Sequence, residues 1–126
     1  MRSKLRKLKD DAAKLTQKGK LDKALKLYQD ILDQDPDDLT AQLKCGDLLR
    51  KLERDEEAIS SYTKVAQAYA ADGLLLKAIA ACKLILEIDE SHTATQKMLA
   101  DLYAKKTGRA AAALPVAPPP SNEPEL

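Results

Sequence analysis

The sequence predicts an all-α protein: antiparallel helical hairpins stacked as a short solenoid of about six helices, followed by a disordered C-terminal tail. Three observations carry this. Between Gly19 and Pro36, the residues Leu21, Ala24, Leu25, Tyr28, Ile31 and Leu32 recur at i, i+3, i+4 and i+7, on one helical face bounded by two breakers. The pattern returns after 34 residues, taking Ala12 to Gly46, Ala24 to Ala58, Tyr28 to Tyr62, Ile31 to Val65 and Leu32 to Ala66. The composition agrees: 44% apolar residues with no Trp or Phe, four Tyr and four Gly make a core of Leu, Ala and Ile suited to helices. Helices this short are marginal alone, so each apolar face must be covered by a neighbour.

Ser3 to Lys18 reads as the first helix, with Leu5, Leu8, Ala12 and Leu15 inward. Gly19 ends it. Leu21 to Gln34 is the second, with Asp22 near the start, where the helix dipole favours negative charge, and Pro36 as the stop. Asp37 or Asp38 is placed to cap a third helix reaching about Leu52, striped by Leu39, Leu43, Gly46, Leu49 and Leu52. Asp55 is the expected cap of the fourth, with Glu56 and Glu57 in its first turn. Leu74 to Ile88 is the fifth and most apolar helix. Thr93 and Gln96 have capping-box spacing at the start of a sixth, which runs to about Lys106 with Met98, Leu99, Leu102 and Tyr103 inward and Gly108 as its end. His92, in the turn before it, reads as a lone surface histidine.

The period breaks once. Ala78, Cys82 and Ile85 follow Ala58, Tyr62 and Val65 after 20 residues, behind another turn glycine, Gly73. The 34-residue spacing then resumes, pairing Val65 with Leu99, Ala66 with Ala100 and Tyr69 with Tyr103. The helix over 55–71 therefore reads as the second helix of one repeat and the first of the next, and a local change of packing is expected at it. Residues 1–108 are expected to form the repeat domain and 109–126 a tail or linker. From Ala110 to Leu126 the Ala, Pro and Glu content points to disorder, and the PxxP match of Pro115 with Pro118 is what any proline-rich run supplies.

Paired helices at a 34-residue period, with small residues at two fixed slots and an aromatic four residues after the second, resemble the tetratricopeptide repeat. The resemblance covers Leu5–Asp38 through Leu8, Ala12, Leu15, Gly19, Ala24, Tyr28, Ile31 and Pro36, and Leu39–Asp72 through Gly46, Leu49, Ala58, Tyr62 and Val65. It departs at Glu53, in the place of the turn glycine, and at Ala70, in the place of the closing proline. It implies an adaptor or scaffold whose concave face, lined by first-helix side chains, binds a peptide or helix of another protein. The implied groove positions are Arg6, Lys9, Ala13, Thr16 and Gln17, then Leu43, Lys44, Asp47, Arg50 and Lys51. Lys9, Lys44, Arg50 and Lys51 against Asp47 would suit an acidic segment. The carboxylate clamp found in some members is matched at Lys9, while Ala13 and Lys44 stand where it has Asn. Two repeats, a shared helix, a final pair and a proline-rich run are also similar to the N-terminal modules of multidomain bacterial signalling proteins. In those, a regulatory domain such as a cyclic-nucleotide-sensing one follows the linker.

The charge distribution is uneven. Residues 1–28 hold ten Lys/Arg against three Asp/Glu, a net +7, residues 29–58 four against ten, a net −6, and the whole chain carries +1. Alternating solvated helix faces explain this, and a basic arm docking on an acidic partner or membrane is the sharper alternative. The two cysteines, Cys45 and Cys82, lack zinc or redox spacing and fall in slots that the repeat buries. The N-terminal stretch lacks an apolar signal region and no run is long enough to span a bilayer, so the cytoplasm is the expected location. With one His, no phosphate loop and no ligand cluster, no catalytic residue, cofactor or metal site is expected. The tyrosines fall in packing slots rather than among exposed lysines, which argues against nucleic acid. Self-association through the fifth and sixth helices is the alternative to peptide binding, and a membrane-docked arm is third.

Overall fold

The structure, a computed structural model, describes residues 2–108; the predicted tail, with Pro115 and Pro118, lies outside the described residues. Among them are six helices and no strand: α1 (Arg2–Gln17), α2 (Leu21–Gln34), α3 (Leu39–Lys51), α4 (Asp55–Ala71), α5 (Leu75–Ile88) and α6 (Thr93–Thr107). The chain divides into two compact units, Met1–Val65 and Ala66–Leu126, and the boundary falls inside α4. That is the helix to which the broken period assigns two repeats.

In the first unit α1 packs on α2 and α2 on α3. Its core is Ala12, Ala24, Leu25, Tyr28, Ile31, Ala41, Cys45, Leu48, Leu49, Ala58, Tyr62 and Val65. Small residues set the closest approach: a methyl group on Gly46 would stand 2.7 Å from the Tyr62 ring, so α3 and α4 meet where the side chain is missing. In the second unit α5 packs on α6, and Ala78, Ile79, Ala81, Cys82, Ile85, Leu102 and Ala104 are buried.

Two kinds of turn join the helices, and each is a repeated hydrogen-bond pattern. In the first kind a residue with positive φ donates its N–H three residues back, and the next residue donates five residues back. Gly19 and Lys20 do this to Thr16 and Leu15, Glu53 and Arg54 to Arg50 and Leu49, and Gly73 and Leu74 to Ala70 and Tyr69. In the second kind the N–H of Asp38 reaches the carbonyl of Asp35, and that of His92 the carbonyl of Asp89, each at 3.1 Å. Along the chain the order is first, second, first, first, second. α4 is thus entered and left through the same kind of turn.

Several local expectations are corrected. Asp55 is the first helical residue rather than the cap; the carbonyl of Arg54 accepts from Ala58, and the Arg54 guanidinium grips Glu57 at 2.8 and 2.9 Å. The Thr93–Gln96 capping box does not form: His92 occupies the cap position, and the Gln96 amide donates instead to the Glu90 carbonyl at 2.7 Å. His92 is half-buried, its Nδ1 at 2.7 Å from the Thr95 hydroxyl. Thr95, 2% exposed, is an inward residue of α6 that sequence reasoning missed, whereas Met98, Leu99 and Tyr103 are only half-buried. Leu5, Leu8, Leu15, Leu39, Leu43 and Leu52 are likewise half-buried, and so is Tyr69, so the tyrosines do not all occupy sealed slots.

Candidate interaction face

Asp38 stands beside two of the predicted groove residues, Lys9 and Lys44. Its backbone turns the chain into α3, and its Oδ1 caps that helix by accepting from the Ala41 N–H at 3.0 Å. Its Oδ2 lies 2.9 Å from Lys9 Nζ, tying α1 to the α2–α3 turn. Burial pushes the Asp38 carboxyl up, but the Lys9 ammonium and the backbone N–H groups of Ala41 and Thr40 together hold it below the usual carboxylate range. The hydrogen bond and charge of Asp38 raise Lys9 in turn. Lys9, Tyr28, Asp38, Thr40, Ala41 and Lys44 line a cleft of about 230 Å³. Two of the predicted groove residues, Lys9 and Lys44, thus come together, with Lys44 exposed at the rim.

The other predicted positions are distributed differently. The Tyr62 hydroxyl donates to Asp47, and burial first, then that carboxylate, raises the Tyr62 phenol above its ordinary value. The Arg50 guanidinium lies close enough to that phenol to act in the opposite sense. Asp47 and Arg50, both half-buried, therefore position the ring wedged against Gly46. Thr16 is half-buried, bonded to the Ala12 carbonyl at 2.9 Å and within hydrogen-bond reach of Tyr28. Arg6, Gln17 and Lys51 are exposed and do not line the cleft.

A second hollow, of about 500 Å³, opens between α2, α3 and α4, with Gln29, Asp33, Gln42, Cys45, Ser61 and Lys64 among its lining. None of the predicted groove residues borders it. No sequence signal marked it, because it arises where polar positions of three helices happen to converge. Cys45 and Cys82 are free and buried, and burial pushes both thiols up to about 11, which keeps them protonated and unreactive at neutral pH. Among the described residues no group of three or more His, Cys, Asp or Glu gathers as a metal site, and no helix is long and apolar enough to cross a membrane.

Residues 15–75 match a family model described as the tetratricopeptide repeat. No curated protein matches the chain in sequence. Among solved structures, the Yersinia enterocolitica type III secretion chaperone SycD, in complex with a peptide of the translocator YopD, is 22% identical, with a TM-score of 0.48 over 82% of this chain and 95% of its own. The first repeat domain of Spaghetti (RPAP3), bound to an HSP90 peptide, is 19% identical, with a TM-score of 0.46 over 83% and 94%. The MamA protein is 20% identical, with a TM-score of 0.48 over 84% of this chain and 66% of its own.

Proposed function

The chain belongs, through residues 15–75, to the tetratricopeptide-repeat family, and from that premise we propose that it is a non-enzymatic adaptor whose α1–α3 face binds an acidic segment of another protein. Repeats of this family are interaction modules, and a segment lying along first-helix side chains is the mode they use. The observation that carries the acidic preference is the cleft beside Asp38. There the ammonium groups of Lys9 and Lys44 border one concavity, and Lys9 is already set in place by a carboxylate. An incoming carboxylate would share Lys9 with Asp38 and add Lys44, exposed at the rim. Arg50 and Asp47 act by holding Tyr62 and the α3–α4 contact rather than by touching the ligand.

The test uses a fluorescent Asp/Glu-rich peptide and the full chain. Lys44→Glu with Lys51→Glu should leave circular dichroism unchanged and weaken binding about tenfold, mainly through slower association, with affinity falling as salt rises. Lys83→Glu with Lys97→Glu, in the second unit, should change it little. Equal loss from both pairs would mean undirected charge attraction; no loss from either would remove the acidic-segment reading.

A further inference from the structure

Leu74 and Leu76 are the large hydrophobic side chains most open to water among the described residues, at 44% and 67% exposure. The repeat itself supplies the control for them. α2 and α5 are both 14 residues long, are entered by the same kind of turn and left by the same kind, and correspond residue for residue at a spacing of 54. On the outward face α2 carries Asp22, Lys26 and Asp30, with Lys26 and Asp30 paired at 3.3 Å. At those three positions α5 carries Leu76 and Ala80, both exposed, and Leu84, half-buried like Asp30 at its equivalent, and Leu74 stands where Lys20 precedes α2. The fold therefore does not require an apolar side chain at any of these places. An apolar stripe where an equivalent helix is charged marks a surface that something covers.

We propose that this stripe is a homodimer contact, with α5 of one copy packed antiparallel on α5 of a second copy about a twofold axis at Ala80. The spacing is self-complementary: Leu76 and Leu84 lie four residues either side of Ala80, so the twofold sets Leu76 of each chain against Leu84 of the other. Ala80 is small, which lets the helices approach closely at the crossing. Charge points the same way. Lys77 opens α5, and the hairpin brings the end of α6, with Lys105 and Lys106, beside it, while Glu87, Asp89 and Glu90 gather at the far end. Antiparallel association carries the basic end of each copy over the acidic end of the other. The Lys77 ammonium, 5.6 Å from the centre of the Tyr69 ring, is held at the flank of the stripe. A single helix crossing buries less than the roughly 1,200 Å² of a standard stable interface, so the association is weak and concentration-dependent. This proposal is independent of the acidic-segment reading, which concerns α1 and α3.

Sedimentation velocity on the full chain, from micromolar to hundreds of micromolar, tests it. The wild type should pass from monomer to dimer. Leu76→Asp, at an open position, should keep its circular dichroism and weaken association about tenfold or more, because a carboxylate would be buried without a partner. Lys44→Glu should leave association unchanged. Ala80→Cys should cross-link between copies on oxidation, since the twofold brings residue 80 to its own copy, whereas Glu87→Cys should not. Cys45 and Cys82 are buried and do not compete. A chain monomeric throughout, a dimer indifferent to Leu76→Asp, or cross-linking at 87 but not 80 would overturn the proposal. So would a monomer that sediments with phosphatidylglycerol vesicles in a Leu76-dependent way, which would assign the stripe to lipid.

Discussion

α2 and α5 are two versions of one helix. Inside, they agree: Ala24 and Ala78, Leu25 and Ile79, and Ile31 and Ile85 are buried at matched positions. One inward slot differs in size, Tyr28 against Cys82, and the whole outward stripe differs in polarity. The repeat thus constrains which positions are covered and leaves open how much volume fills each slot and what the uncovered side carries. Stability resides in the first set of positions, while the second is free to differ between the two helices.

Exchanging the residues of the unequal slot should have the largest effect. Tyr28→Cys removes a buried ring and should cost about 3 kcal/mol, while Cys82→Tyr forces a ring into a site shaped for a thiol and should cost about 1–3 kcal/mol. Urea denaturation of both variants measures this. A silent Cys82→Tyr would mean that the second unit tolerates a ring there and that the two slots do not differ in room.

The turns give the next comparison. Gly19 and Gly73 have φ of 77° and Glu53, at the equivalent place, 62°. A side chain in that left-handed region is strained, so Glu53→Gly should stabilise the chain by about 1 kcal/mol, and Gly19→Ala should destabilise it by a similar amount. Equal melting temperatures for both variants and the wild type would show that the turn geometry is not a source of strain.

The smallest effects lie in the second kind of turn. His92 holds the position that Asp38 holds before α3, but its side chain caps no backbone N–H. His92→Asp supplies that cap, worth about 0.5–1 kcal/mol, but gives up the contact of Nδ1 with the buried Thr95 hydroxyl, so the net change should be close to zero. At Asp38 the folded carboxyl titrates below its ordinary value of 3.8, so the stability it contributes is present above that pH and is lost as pH falls through the lowered value. Asp38→Asn keeps a capping oxygen but loses the charge pair with Lys9. Its thermal midpoint should sit slightly below that of the wild type at neutral pH, with the gap closing in acid. A gap that persists below that range would place the effect in the cap rather than in the charge.

Spacing alone reveals most of the fold. Gly19, Gly73 and Gly108 announce their turns, the Ala/Tyr slots locate the inward faces, and the 20-residue step marks α4. Departures from the pattern were less legible where a second contact decides the outcome. Glu53 adopts the glycine conformation because the hydrogen bonds of the turn impose it on whatever residue stands there. Thr95 is buried because His92 reaches its hydroxyl, a pairing no apolar periodicity encodes. The candidate site was half legible. The period places Lys9 and Lys44 on first helices, but only the folded hairpin brings Asp38, 29 residues from Lys9, against it. Asp47 and Arg50 share that placement in sequence, and the demand of the Tyr62 hydroxyl for a partner draws them into the packing instead.

Each compact unit contains one buried thiol, Cys45 in the first and Cys82 in the second, and a thiol sealed in this way is modified only when its surroundings open. The chain thereby carries its own pair of opening clocks, one per unit, requiring no added probe. Because α4 runs unbroken through the boundary, a unit can open alone only by fraying part of that helix. Matched alkylation rates at the two thiols would describe one cooperative body, and divergent rates would make α4 the place where cooperativity ends.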